Sequence, residues 1–110
     1  MKAAVYYETG TPDVFRYEDV ADPQPGPGEI LVEIAAVSIE GGDTLNRLAG
    51  PMTATPHVVG YQASGTVLAL GDGASRFAVG DRVVTVNLSG SHAEQRTVNE
   101  SFAWAVPDGL

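Results

Sequence analysis

Glycine and proline interrupt this sequence so often that no long regular element fits between them. Thirteen glycines and seven prolines are spread over 110 residues, and both residue types disfavour the interiors of helices and strands. The intervening segments are short, and most of them alternate between apolar and polar side chains or are rich in β-branched residues. Short strands separated by turn residues are typical of β-barrels and β-sandwiches. The sequence therefore predicts a mainly β fold.

Five segments carry strand patterns, and one carries a helix pattern. The predicted strands are Phe15–Val20, Glu29–Val37, Gly65–Leu70, Arg82–Val86 and Glu94–Val98. The predicted helix covers Asp43–Ala49, with Asp43 as its N-cap, Gly50 as its C-cap and Pro51 preventing continuation. Residues 22–28 hold three prolines and two glycines, which predicts an extended connector.

The charge of the chain excludes several classes of partner. Six basic and fourteen acidic residues give a formal net charge of −8, whereas binding to nucleic acid or to an anionic membrane surface requires a basic patch. No apolar run approaches the roughly 18 residues of a membrane span, and the first residues lack the apolar core of a secretory signal. We therefore expect a cytoplasmic protein whose partners include neither nucleic acid nor membrane.

Few residues in this chain are suited to binding a metal ion. Cysteine is absent, which removes disulfides, thiolate nucleophiles and cysteine-ligated zinc. His57 and His92 are the only histidines, and the sequence places them in a loop after Pro56 and in the turn at Gly90–Ser91. We therefore expect no metal site, and a site formed by the two histidines and a carboxylate is the alternative.

Motifs for phosphate binding and for nucleophilic catalysis are also missing. Gly71 and Gly73 are followed by Arg76 where the dinucleotide fingerprint has its third glycine, and no Walker pattern is present. The serines lack the signature of a nucleophile elbow. The remaining polar residues cluster around the predicted helix: Glu40, Asp43, Asn46 and Arg47. Their structural interpretation is a capped helix in which the side chains of Asp43 and Arg47 form an ion pair.

Three motifs occur in an order and at a spacing that are found in one enzyme family. Pro23–Ile34 is similar to that family's proline-glycine-glutamate lead into a long strand, and Pro56–Val67 to its glycine-rich entry to the next strand. Gly71, Phe77 and Gly80–Val83 match the loop and hairpin that follow. Together these motifs resemble the medium-chain dehydrogenases/reductases, and the resemblance extends over the whole chain.

The resemblance implies a fold for this chain and separate roles for two domains. The N-terminal catalytic domain of these enzymes is a GroES-like, partly open β-barrel with one or two short helices, and we expect residues 1–110 to form this one domain. In the family, a Rossmann domain holds the nicotinamide cofactor, and the active site lies between the two domains. The resemblance thus implies NADPH, bound mainly by a Rossmann domain in cis or in trans that is absent from this chain.

The zinc-dependent and zinc-independent branches of the family differ at positions that this chain contains. The zinc branch has cysteine where this chain has Glu40, and Gly-His-Glu where this chain has Gly60-Tyr61-Gln62. Its four-cysteine structural lobe has no counterpart here. The chain therefore resembles the zinc-independent quinone oxidoreductases, although those usually carry asparagine in place of Glu40.

The resemblance also implies roles for residues around the helix. The candidate catalytic residues are Glu40, Asp43 and Tyr61. The candidate cofactor contacts are Glu40 and Arg47, the candidate substrate-pocket residues are Tyr61 and Gln62, and there is no metal ligand. A carboxylate at position 40 can hydrogen-bond a ribose hydroxyl. The structural alternatives are a helix cap for Asp43, packing with a solvent-directed hydroxyl for Tyr61, and a solvated ion pair for Arg47.

The predicted function is that of the catalytic domain of an NADPH-dependent, zinc-independent oxidoreductase that reduces quinones or other activated conjugated carbonyl compounds. The alternatives are an enoyl reductase of the same superfamily and a non-enzymatic binding or assembly module that keeps only the barrel. The expected partners are a small quinone or enone and the Rossmann domain, and a homodimer is compatible with the resemblance. We expect the isolated 110-residue chain to be inactive without the cofactor domain.

Overall fold

The computed structural model describes residues 1–110 and consists mainly of β-strands, as predicted. The strands are β1 (Lys2–Tyr6), β2 (Arg16–Asp19), β3 (Glu29–Val37), β4 (His57–Val58), β5 (Gln62–Leu70), β6 (Arg82–Val86), β7 (Gln95–Asn99) and β8 (Ala103–Ala105). One α-helix, α1 (Gly41–Ala49), lies between β3 and β4, and Pro12–Val14 and Glu100–Phe102 form short 3-10 turns. No helix combines the length and the hydropathy that crossing a bilayer requires.

The strands form two antiparallel sheets that do not close into a complete barrel. One sheet has the strand order β2-β1-β4, and the other has the order β7-β3-β5-β6-β8. A single bridge between Ala3 and Ala93 connects β1 to the segment that precedes β7. The fold is therefore GroES-like and partly open, as predicted.

The main core lies on one face of the five-stranded sheet. Its fully buried side chains are Ile30, Val32, Val67, Val83, Val98 and Ala103. Because side chains alternate between the two faces of a strand, Ile30 and Val32 of β3 point inward together. A side chain at Gly65 would collide with the carbonyl oxygen of Glu33, so glycine permits the close approach of β5 to β3.

Three short strands and one histidine differ from the prediction. Neither β1, β4 nor β8 was predicted, and the prediction that His57 lies in a loop is wrong. His57 belongs to β4, where it pairs with Tyr6 of β1 and is only 3% exposed. The two residues of β4 are too few to show a strand pattern by themselves, and pairing with β1 makes them a strand.

Candidate active site

The first turn of α1 is organised by two carboxylates. The helix begins at Gly41, two residues before the predicted start, so that its N-cap is Glu40 and not Asp43. The Asp43 carboxylate accepts a hydrogen bond from the backbone N–H of Glu40 (2.9 Å), and the N–H of Asp43 donates to the Glu40 carbonyl (3.0 Å). Asp43 thus closes the first turn from inside the helix, as the acidic residue of a capping box does. Gly50 ends the helix as predicted, and its N–H donates to the Asn46 carbonyl (2.8 Å).

Asp43 and Arg47 do not form the predicted ion pair. Asp43 is 3% exposed, its Oδ2 lies 3.7 Å from Nε2 of His92, and its Oδ1 has no hydrogen-bond partner. Arg47 instead donates from Nε to the Gly10 carbonyl (3.1 Å), and the N–H of Gly10 donates to the Arg47 carbonyl (2.8 Å). Arg47 therefore attaches α1 to the chain segment around Gly10, and Asp43 lies beside His92.

Three of the five predicted site residues meet in one cavity. Glu40, Tyr61 and Gln62 line a space of about 360 Å³, and the Gln62 amide donates to Oε1 of Glu40 (2.6 Å). The remaining lining residues are Val86, Asn87, Leu88 and Phe102. Asp43 and Arg47 line a different cavity, of about 270 Å³, together with His92. Glu40 and Arg47, the two candidate cofactor contacts, thus line different cavities.

The Tyr61 side chain lies against helix α1. Its hydroxyl oxygen accepts a hydrogen bond from the side-chain amide of Asn46 (2.9 Å). A Cβ atom at Gly42 would lie 2.5 Å from Cε2 and 2.7 Å from the hydroxyl oxygen of Tyr61, so the absence of a side chain at Gly42 makes room for this ring. Tyr61 is therefore held by the helix, and its hydroxyl is not simply directed to solvent.

Arg96 supports the cavity from outside its lining. Its guanidinium, 3% exposed, donates to the carbonyls of Tyr61 (2.8 Å) and Ser89 (2.7 Å) and to the Thr85 hydroxyl (3.2 Å). No carboxylate pairs with Arg96, and burial lowers its pKa to about 10. The Tyr61 carbonyl also accepts from the N–H of Asn87 (3.0 Å). Arg96 thus joins Tyr61 to the segment after β6 that forms another part of the cavity wall.

Two residues of this site were not assigned to it from the sequence. Asn46 belonged to the polar cluster around the helix, but nothing in the sequence indicated a bond to Tyr61. Arg96 lies two residues before the buried Val98 on the same strand, and the alternation of β7 therefore places it on the inward face. That alternation was the available signal for a buried arginine.

No group of three or more histidine, aspartate or glutamate side chains is arranged to hold a metal ion. At the positions of the zinc-branch ligands, Glu40 is bonded to Gln62 and Tyr61 to Asn46. Glu40 and Tyr61 therefore each have a hydrogen-bond partner in the protein. The zinc independence of the protein stays a prediction.

Sequence comparisons place this fold among oxidoreductases. The profile of the alcohol dehydrogenase GroES-like domain matches residues 26–108. A 2-haloacrylate reductase of Burkholderia sp. is 34% identical over 113 residues, covering 98% of this chain and 34% of the relative. A quinone oxidoreductase of Pseudomonas aeruginosa is 33% identical over 103 residues, covering 92% and 32%. A trans-enoyl reductase of Fusarium mangiferae is 35% identical over 88 residues, covering 80% and 23%.

Solved structures share the fold over the whole chain. The quinone oxidoreductase of Pseudomonas syringae pv. tomato superposes with a TM-score of 0.94 at 30% identity, covering 99% of this chain and 34% of that one. A mycobacterial protein solved in complex with NADPH superposes with a TM-score of 0.92 at 38% identity, covering 100% and 35%. The chain belongs to the alcohol dehydrogenase GroES-like domain family, within the medium-chain dehydrogenase/reductase superfamily. It spans between 23% and 35% of the length of these relatives.

Proposed function

We propose that this chain is the substrate-binding part of an NADPH-dependent, zinc-independent oxidoreductase that reduces quinones or other activated conjugated carbonyl compounds. The observation that carries the proposal is the cavity at Tyr61, whose lining combines polar and apolar side chains. The apolar part of its wall is formed by Val86, Leu88 and Phe102. An apolar wall suits a planar ring or alkene, and a few placed polar groups suit the carbonyl that must be oriented. The substrates named for the relatives, a quinone, a haloacrylate and an enoyl compound, all conjugate an alkene with a carbonyl group.

Tyr61 is the proposed catalytic residue. Because its oxygen accepts a hydrogen bond from Asn46, its own O–H proton is free to donate, and no protein acceptor takes it. A donor aimed at a carbonyl oxygen stabilises the negative charge that develops there during reduction. Asn46 acts through Tyr61, and its role is to orient the hydroxyl towards the cavity.

Glu40 is the residue of this chain that is proposed to hydrogen-bond a nicotinamide cofactor. A carboxylate has about four lone-pair sites, so Glu40 can accept from a ribose hydroxyl while it accepts from Gln62. No lysine or arginine lines the cavity, and the chain contains no glycine-rich phosphate loop, so the phosphates need a second domain. NADPH, when bound, supplies the hydride. The two Nη nitrogens of Arg47 have no protein partner, and a contact from Arg47 to the cofactor is part of the proposal.

An enoyl reductase is the second candidate function. The relative named trans-enoyl reductase is 35% identical over the aligned part, and an enoyl thioester offers the same conjugated carbonyl group to Tyr61. Turnover of a 2-enoyl thioester in preference to a quinone would favour this candidate.

The test compares two forms of the protein. We expect the full-length protein, with its cofactor-binding domain, to bind NADPH, to reduce 1,4-benzoquinone or a conjugated enone, and to contain no stoichiometric zinc after dialysis against a chelator. We expect the 110-residue chain alone neither to bind NADPH at micromolar concentration nor to reduce the acceptor. It lacks the phosphate-binding groups, and its net charge of −8 opposes an anionic ligand. If the 110-residue chain alone changes NADPH fluorescence in a saturable way at micromolar concentration, the assignment of cofactor binding to the second domain is wrong. If the full-length protein reduces no acceptor, the proposed function is wrong.

A further inference from the structure

We infer that Glu40 makes this cavity select neutral carbonyl acceptors and reject carboxylates; the inference rests on the proposed function. Glu40 is the only charged residue among the seven that line the cavity. The other polar members, Tyr61, Gln62 and Asn87, are neutral. A carboxylate-bearing ligand would therefore meet a charge of its own sign and no opposite charge in this part of the site.

The Glu40 charge has no counter-ion in the chain. Its side chain bonds to the neutral amide of Gln62, and Glu40 takes part in no ion pair. Arg96 approaches from outside the lining, but its guanidinium is bound to the carbonyls of Tyr61 and Ser89. Like charges repel more strongly beside a low-dielectric wall than in bulk water. The net charge of −8 acts in the same direction at longer range.

The apolar wall adds to this selectivity. The side chains of Val86, Leu88 and Phe102 offer neither a hydrogen-bond donor nor a cation. An ionised carboxylate would have only the neutral donors of the other lining residues in place of its water, and its desolvation is therefore costly. A quinone, enone or amide carries no such charge, so the loss of its hydration water costs little free energy. The 2-haloacrylate reductase relative is named for a carboxylate substrate, so the inference distinguishes this chain from a relative of similar sequence.

The experiment uses two substrates with the same carbon skeleton, one neutral and one anionic. We would measure kcat/KM of the full-length protein for 2-chloroacrylamide and 2-chloroacrylate with NADPH, in the wild type and in Glu40→Gln. Glutamine keeps the oxygen that accepts from Gln62 and removes the charge. We expect the ratio of amide to acid to fall about tenfold in Glu40→Gln, mainly through a gain on the acid, since one removed like-charge contact changes a rate by about that factor. Dividing the two ratios cancels the intrinsic reactivity of the substrates.

Two further variants keep the result interpretable. Asp13→Asn removes the same charge from an exposed residue in the Pro12–Val14 turn, outside the cavity, and we expect it to leave the ratio unchanged. Asn87→Asp adds a charge to the cavity lining while it keeps the oxygen that accepts from the N–H of Leu88, and it should raise the ratio even if Glu40→Gln does not fold. A ratio that stays the same in Glu40→Gln or Asn87→Asp, or that falls equally in Asp13→Asn, overturns the inference. If benzoquinone and the amide are still reduced in that case, the proposed function stands; if neither neutral acceptor is reduced by the wild type, both fail.

Discussion

The buried imidazole of His57 couples the stability of the fold to pH. His57 is 3% exposed, its ring lies 5.2 Å from the Tyr6 ring, and burial lowers its pKa. Its Nδ1 accepts a hydrogen bond from the N–H of Thr53 (3.2 Å). A proton on Nδ1 would remove that acceptor, so the folded state favours the neutral ring.

From this we predict that the free energy of unfolding falls on acidification. Because the pKa of His57 is lowered in the folded state, the unfolded chain takes up the proton first as the pH drops below about 6.5. Stability is therefore complete above that pH and decreases below it, by at most about 1.4 kcal/mol per pH unit. Urea unfolding between pH 7.5 and 5.0 measures this slope. His57→Gln should flatten it and His92→Gln should leave the His57 contribution in place; an unchanged slope in His57→Gln would contradict the assignment.

Arg96 is the residue whose loss should most disturb the cavity wall. Arg96→Met removes the donor to the Ser89 carbonyl and one of the two donors to the Tyr61 carbonyl, which keeps the N–H of Asn87. An unsatisfied buried acceptor costs about 1–3 kcal/mol, and the removal of a buried guanidinium that has no counter-ion offsets part of this cost. We therefore expect a net loss of about 1–2 kcal/mol in the free energy of unfolding. Arg82→Met, at an exposed position on β6, is the control and should change it by less than about 0.5 kcal/mol. Equal effects of the two substitutions would refute a supporting role for Arg96.

At the scale of elements, two adjacent glycines in α1 have different reasons to be glycine. A Cβ at Gly41 would meet nothing within 4 Å, whereas a Cβ at Gly42 would collide with the ring of Tyr61. The ring is the mobile end of a side chain and can move away. The conflict at Gly42 should therefore alter the cavity more than the stability of the helix.

This contrast gives a matched pair of substitutions. Gly41→Ala should raise the free energy of unfolding by about 0.4–1 kcal/mol, because alanine restricts the unfolded chain and fits the helix. Gly42→Ala should displace Tyr61 from Asn46 and lower kcat/KM of the full-length protein at least about tenfold, since a misplaced polar group forfeits transition-state stabilisation. Unfolding and steady-state kinetics on both variants check the prediction. Full activity in Gly42→Ala would show that the position of Tyr61 does not matter to the reaction.

The elements that could be predicted are those whose pattern is local. The sequence predicts β3 and β6 with the bounds that the structure shows, because β-branched residues fill them and turn residues bracket them. Strand β4 has two residues and β8 has three, so their existence depends on pairing with β1 and β6. The first turn of α1 contains Gly41 and Gly42, which are poor helix formers, and it forms because Asp43 bonds back to Glu40.

The residues of the candidate site could be predicted in part, but the contacts between them could not. The resemblance made Glu40, Tyr61 and Gln62 candidate site residues, and the structure places all three in one cavity. The bond from Asn46 to Tyr61 joins α1 to the start of β5, and no periodicity encodes a contact between elements. Phe102 lines the same cavity from the turn before β8, far along the chain. These contacts depend on how elements pack, which local sequence does not determine.

At the scale of the whole molecule, one sheet surface remains apolar and exposed. Val84 on β6 pairs with Trp104 on β8, and both side chains lie on the face opposite the buried Val83 and Ala103. They are 40% and 49% exposed. Val86 lies on the same face of β6 as Val84, and together with Leu88 and Phe102 it also lines the Tyr61 cavity. We call the surface formed by these five exposed residues the β6–β8 face. Contiguous exposed apolar surface of this kind is typical of surfaces that another protein or domain covers.

We therefore predict that the 110-residue chain self-associates through the β6–β8 face when nothing else covers it. Sedimentation velocity should show an average mass that rises with protein concentration, because burial of apolar area drives association by about 25 cal/mol per Å². The double variant Val84→Thr with Trp104→Gln makes the face more polar and should restore the monomer, since neither residue belongs to the core. Tyr17→Ser removes a more exposed aromatic ring from β2, 72% exposed and on the other sheet, and should leave association unchanged. A wild-type chain that stays monomeric at all concentrations would mean that the polar residues around this face suffice to keep it in water.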